Sequence, residues 1–265
     1  MFEHVVVAAH FAAADSALFS SLDELRALGT RKLTLVDVLR SQYAEAHSEE
    51  ARHQARNRLE EEKSALEGQD LEIDVEVRTG QPAHELALLA RARGASLILV
   101  GSQGEARMRE FLRGSTVLQL ARRTSVPTLI EPIAGARHTV TGQGFKRILL
   151  ATDFSPRAHA AEQMAIGLAE TAERVLLAHT LDDDLVDAIG RDAACAQARS
   201  RLDALAGRFP SRGPSPELFL LEGDPADTLL DTAREQSASL VVIGKRGGGP
   251  VDELLLGATA ERVLR

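Results

Sequence analysis

The chain has 265 residues, of which 44% are hydrophobic, enough for two packed domains of a common size. Its formal charge of −8, with 3% aromatics and no tryptophan, argues against a basic nucleic-acid surface or a base-stacking platform. The single Cys195 forms no intramolecular disulfide and fits a reducing compartment, and no apolar run approaches the roughly 20 residues of a spanning helix. The expectation is a cytoplasmic protein with no membrane or nucleic-acid partner.

In chain order the first half alternates strands and helices. Val5 to Ala9 predicts strand one, too short for an export signal and preceded by Glu3 and His4 rather than a basic region. An amphipathic helix follows over Asp15 to Leu28, then strand two over Lys32 to Val38. A long charged helix spans about Ser48 to Glu67, and Ile73 to Arg78 reads as strand three. Pro82 sits near the first turn of the next helix, where its missing N–H costs nothing. Leu97 to Val100 is a buried strand four leading into a glycine loop. A helix runs from Gly114 to about Arg123, and Pro127 to Ile130 supplies strand five. Residues 133–144, rich in Gly, Thr and polar side chains, read as a linker between domains at 1–132 and 145–265.

The second half repeats this order from Lys146. Gly101, Gly104 and Gly114 reappear as Gly244, Gly247 and Gly257, each displaced by 143 positions. The same shift carries Phe2 onto Phe145, Phe11 onto Phe154, Gly80 onto Gly223 and Pro82 onto Pro225. The chain is therefore an internal duplication. Strand two of the second half, Val175 to Thr180, is displaced by 142, which places one indel before it. Nothing before Arg265 corresponds to strand five.

The repeated pattern is Gly, two residues, Gly, nine residues, Gly, set between a buried strand and a helix. A glycine at the strand end is expected to turn the backbone sharply with positive φ. Free N–H groups at the helix start, with the helix dipole, favour an anion there. Alternating strands and helices predict two open, mostly parallel sheets with helices on both faces.

This pattern resembles the nucleotide signature of the universal stress protein family, and the resemblance covers nearly all of both halves. Gly114-Ser115-Thr116 matches it fully, while Ala258 stands at the hydroxyl position of Gly257-Ala258-Thr259. The run Ile148 to Ser155 is similar to the family's first strand and its aspartate. The resemblance implies strand order 3-2-1-4-5 in each half, two domains packed as a pseudo-dimer, and ATP, ADP or AMP as ligand, with Mg²⁺. In the second half it implies contacts from Ala151, Thr152, Asp153, Thr180, Ile243, Gly244, Arg246, Gly247, Gly257, Ala258 and Thr259. In the first half it implies contacts from Val38, Val100, Gly101, Gly104, Gly114, Ser115 and Thr116. There His10 replaces the family's aspartate and supplies no constant charge. The second site therefore ranks modestly above the first.

Asp153 also fits a turn or helix-capping role. Lys245 and Arg246 could add charge near phosphates or be merely solvated. Asp182-Asp183-Asp184 reads as a solvated turn rather than a metal site, and His179 as a residue satisfying a local hydrogen bond. Neither loop ends in the Gly-Lys-Ser/Thr of a P-loop. The expected function is ligand sensing, with a protein partner or homo-oligomer reading the ordered loop. A nucleotide-independent scaffold is the alternative, and a slow ATPase or an autophosphorylating enzyme a weaker one.

Overall fold

The computed structural model describes residues 1–8, 15–40, 48–66, 70–103, 116–133, 144–246 and 255–265. The chain divides into two compact units, Met1–Thr141 and Gly142–Arg265.

In the first unit β1 (His4–Ala8), β2 (Lys32–Arg40), β3 (Glu72–Gly80), β4 (Leu97–Gln103) and β5 (Thr128–Ile133) form one parallel sheet in the order β3-β2-β1-β4-β5. A strand flanked by parallel neighbours and covered on both faces needs apolar side chains on both, which is why Val5, Val6 and Val7 form an unbroken run. Val6 faces a cluster with Ile98, Val36 and the inner stripes of α3 (Pro82–Ala92) and α4 (Thr116–Arg123). Alternation sends Val5 and Val7 to the opposite face. There α1 (Asp15–Ala27) and α2 (Glu49–Leu66) bury Leu22, Leu25 and Leu59.

The second unit follows the same plan with β6 (Arg147–Ala151), β7 (Arg174–Thr180), β8 (Glu217–Leu221) and β9 (Leu240–Ile243) in the order β8-β7-β6-β9. The register reproduces the repeat: Val6 lies opposite Thr34 and Ile98, and Leu149 opposite Leu176 and Val241. A serine joins the starts of the two central strands in each unit. Ser96 Oγ donates to His4 O at 2.9 Å and accepts His4 N at 3.2 Å; Ser239 Oγ does the same to Arg147 O at 3.2 Å and Arg147 N at 3.0 Å.

Helices α5 (His159–Leu168) and α7 (Arg191–Ala206) pack on one face of this sheet, and α8 (Pro225–Glu235) and α9 (Ala258–Val263) on the other. Gly223, at φ 107°, turns the chain into α8, whose cap Asp224 accepts Ala226 N and Asp227 N on Oδ1 at 2.9 and 3.1 Å. The acidic run after β7 is a helix start rather than only a turn: Asp182 caps α6 (Asp183–Ile189), its Oδ1 accepting Asp184 N at 3.0 Å.

Two expectations need correction. Strand five of the first unit extends to Ile133, so the strand takes in the first residue of the expected linker. Strand four does not stop at Gly101. That glycine continues β4 opposite Glu131, because a neighbouring strand is there to pair with it. In the second unit β9 ends at Ile243, and among the described residues no strand lies on its outer edge.

Candidate functional site

In an open parallel sheet the connections leave a crevice beyond the carboxyl ends of the strands where strand order reverses. In the second unit that point lies between β6 and β9. Ala151 ends β6, opposite Ala178 on one side and Ile243 on the other.

Thr152, 7% exposed, is the hub of the turn that follows. Its N–H donates to Ala178 O at 3.0 Å, and its carbonyl oxygen accepts His179 Nδ1 at 2.9 Å. Its hydroxyl accepts Phe154 N at 2.9 Å and donates to Glu162 Oε1 at 2.9 Å. Glu162 Oε2 in turn accepts Arg208 Nη1 at 2.9 Å. All these bonds hold the β6–α5 turn in one shape, with Phe154 at φ 56° and its ring 4.6 Å from that of His179. Burial pushes the His179 imidazole below its ordinary pKa, against the opposing pull of its bond to Thr152 O. The imidazole Nδ1–H is thus a local donor, as the sequence suggested.

Asp153 is exposed and its Oδ1 accepts Ser155 N at 3.0 Å, so it does cap its own turn, next to the strand ends. Thr180 ends β7 opposite Leu221 of β8.

Gly244 follows β9 directly. Its φ is not left-handed, contrary to the expectation, and its need for glycine is steric. A Cβ there would meet Arg246 O at 3.3 Å and Ala158 Cα at 3.4 Å, because the backbone runs close to the start of α5. Past this point the chain returns on itself. Gly257 N donates to Lys245 O at 3.0 Å, and Arg246 Nε donates to Leu255 O at 2.9 Å. These two bonds join the chain on either side of residues 247–254. Arg246 therefore braces this junction, a role the sequence did not suggest. Burial, then the neighbouring Arg246 charge, pulls Lys245 below its ordinary pKa. Gly257 is the extended cap of α9, its O accepting Glu261 N at 2.9 Å, and Ala258 and Thr259 are the first residues of that helix. Gly247 lies outside the described residues.

The structure thus brings Ala151, Thr152, Asp153, Ile243, Gly244, Arg246, Gly257, Ala258 and Thr259 to one end of the second sheet. In the first unit Val38 and Val100 lie in the core cluster under α3 and α4, Gly101 in β4, and Thr116 at the start of α4. Gly104, Gly114, Ser115 and His10 lie outside the described residues. Sequence reasoning missed Glu162 and Arg208. The available signal was a carboxylate set in the apolar stripe of Ala158, Ala161 and Ala165 on α5. Among the described residues no His, Cys, Asp and Glu cluster suits a metal ion, and no helix is long and apolar enough to cross a membrane.

The model of the universal stress protein family matches residues 1–132 and 144–265. A Thermus aquaticus protein, named a universal stress protein in the QAH/OAS sulfhydrylase 3′ region, is 32% identical over 130 residues, 45% of this chain and 91% of its own. Universal stress protein YxiE of Bacillus subtilis is 35% identical over 69 residues, 26% of this chain and 45% of its own. Among solved structures, a universal stress protein from Archaeoglobus fulgidus is similar in fold over 98% of this chain and 92% of its own, with a TM-score of 0.75 and 19% identity. A putative universal stress protein from Pseudomonas aeruginosa covers 99% of this chain and 89% of its own, with a TM-score of 0.61 and 19% identity.

Proposed function

The chain belongs to the universal stress protein family, and from that premise we propose that it binds an adenine nucleotide, ATP or its di- or monophosphate, with Mg²⁺, as a stress or signalling protein of the cytoplasm. The observation that carries this reading is the junction at the strand-order reversal. Lys245 O accepts Gly257 N and Leu255 O accepts Arg246 Nε, which holds Gly257 close to Gly244 at the end of β9. Asp153 and Thr152 on one side would meet the nucleoside, and Gly244, Gly257, Ala258 and Thr259 on the other the ribose and phosphates. A neutral hydrogen bond lost at Ala258 weakens such a site by about 0.5–1.5 kcal/mol without abolishing it. The domains are 1–132 and 145–265, and the ordered loop is the surface that a protein partner or a second copy reads. Among the described residues none is assigned as a general base or a transition-state arginine, and the reading is one of ligand sensing, with any ATP hydrolysis slow.

The test is to denature the purified protein, chromatograph the supernatant for released nucleotide, and titrate the protein with Mg-ATP. One nucleotide per chain, lost in Gly247→Val and kept in Gly104→Val, is the expected result. Two per chain would remove the ranking of the halves. No retention and no binding on titration would remove the reading. In that event the second reading, a nucleotide-independent scaffold, takes its place. It is favoured by Asp153 and Arg246 both being engaged within the protein.

A further inference from the structure

In the second unit a cleft of about 690 Å³ opens between α5, α7 and the β6–α5 turn. It is lined by Phe154, His159, Glu162, Arg201, Leu205 and Arg208, among others. It is open to solvent along its outer side. None of these side chains belongs to the glycine loop or to the strand ends.

One wall is a single stripe of α7. Arg201, Ala204, Leu205 and Arg208 recur at helical spacing, and Arg208 N–H still donates to Leu205 O at 3.0 Å just past the end of the helix. Two cations therefore flank the apolar Ala204 and Leu205, Arg201 on the helix and Arg208 just past its end. The two guanidinium groups are differently placed. Arg208 is neutralised by the buried carboxylate of Glu162 at 2.9 Å. Arg201 is exposed and has no carboxylate partner among the described residues; its Cζ lies 5.8 Å from the centre of the Phe154 ring. With Glu162 offsetting Arg208, the cleft keeps one positive charge beside an aromatic face.

The Phe154 ring is placed there at a cost. A bulky residue at φ 56° is an outlier, and such strain persists where the surroundings over-determine it. Here the Thr152 hydroxyl holds the Phe154 N–H at 2.9 Å and the His179 ring backs the phenyl group.

We propose that this cleft is a second ligand site, for a small organic monoanion with an aromatic or apolar body, whose anionic group is received by Arg201 and whose body lies on Phe154 and the Ala204–Leu205 floor. None of the groups proposed to hold this ligand is among those proposed for the nucleotide, although the two sites adjoin through the 152–158 segment.

The probe is 1-naphthoate, titrated calorimetrically into the full chain with and without Mg-ATP, with 1-naphthamide and inorganic phosphate as comparison ligands. One site per chain is expected. Naphthamide and the Arg201→Gln variant should each bind about tenfold or more weaker, the loss of one charge-assisted contact, and phosphate should not compete. Phe154→Asn, which tolerates the left-handed backbone, should also weaken binding. Arg201 is exposed, so its replacement leaves the packing intact, which circular dichroism checks. Absence of saturable naphthoate binding, unchanged binding in Arg201→Gln, equal binding of phosphate, or competitive displacement by Mg-ATP would each overturn the proposal.

Discussion

Replacing Glu162 with alanine removes the acceptor of two bonds at once, the Thr152 hydroxyl at 2.9 Å and the Arg208 guanidinium at 2.9 Å. The carboxylate is 7% exposed and Arg208 37% exposed, so the pair is neither a solvated surface contact nor a fully buried one. A hydrogen bond to a charged group contributes about 1.5–3 kcal/mol. The Arg208 share is discounted for solvent screening, and losing the buried carboxylate recovers part of its desolvation cost. The net expectation for Glu162→Ala is a loss of about 2–3 kcal/mol, and for Glu162→Gln, whose amide oxygen still accepts the Thr152 hydroxyl, about half of that. A loss of about 2 kcal/mol lowers the melting temperature of a domain of this size by roughly 5–10 °C. Urea and thermal unfolding followed by far-ultraviolet circular dichroism measure both, since the chain has no tryptophan. A double-mutant cycle with Arg208→Ala should return a coupling of about 1–2 kcal/mol. A Glu162→Ala change below about 0.5 kcal/mol, or additive single effects in the cycle, would refute the assignment of Glu162 as the tie between the β6–α5 turn and α7.

His179 is held neutral by burial, with its pKa below the ordinary value. Stability from a depressed histidine is complete above the unfolded pKa of about 6.5 and is lost as pH falls through the folded one. The urea midpoint of the second unit should thus decline on going from neutral to acid pH, and His179→Asn should flatten that decline; an unchanged slope counts against it. A methyl group at Gly213 would stand 2.9 Å from Ala169 O, whereas at Gly207 it would be 3.6 Å from its nearest neighbours. Gly213→Ala should destabilise by about 1–3 kcal/mol, and Gly207→Ala should stabilise by about 0.4–1 kcal/mol through the unfolded chain; equal effects in denaturant titrations would contradict the packing described.

Much of the sheet was legible because its signal is local. Unbroken apolar runs such as Val5–Val7 and Leu240–Ile243 mark parallel strands, and the 143-residue shift, with its single-residue slip before strand two, reappears in the register. What sequence did not disclose depends on neighbours distant along the chain. Whether Gly101 ends a strand depends on whether another strand lies beside it, and β5 does. The need for glycine at Gly244 comes from the Arg246 carbonyl and from Ala158, far along the chain, and not from a left-handed backbone of its own. Arg246 reads as a phosphate contact in the glycine pattern, yet its Nε donates to Leu255 O, nine residues on. Glu162 was missed because a carboxylate in the first turn of a helix usually faces water, and the Thr152 and Arg208 groups that receive it lie on different elements.

The serine bridges between the central strands also bear on the order of assembly. Ser96 meets His4, and Ser239 meets Arg147, each across 92 residues of chain. Contacts of such long sequence separation form late, because the loop they close must first be shortened by the intervening strands and helices. On sequence separation alone, the pairing of β1 with β4 and of β6 with β9 is expected late in the folding of each unit.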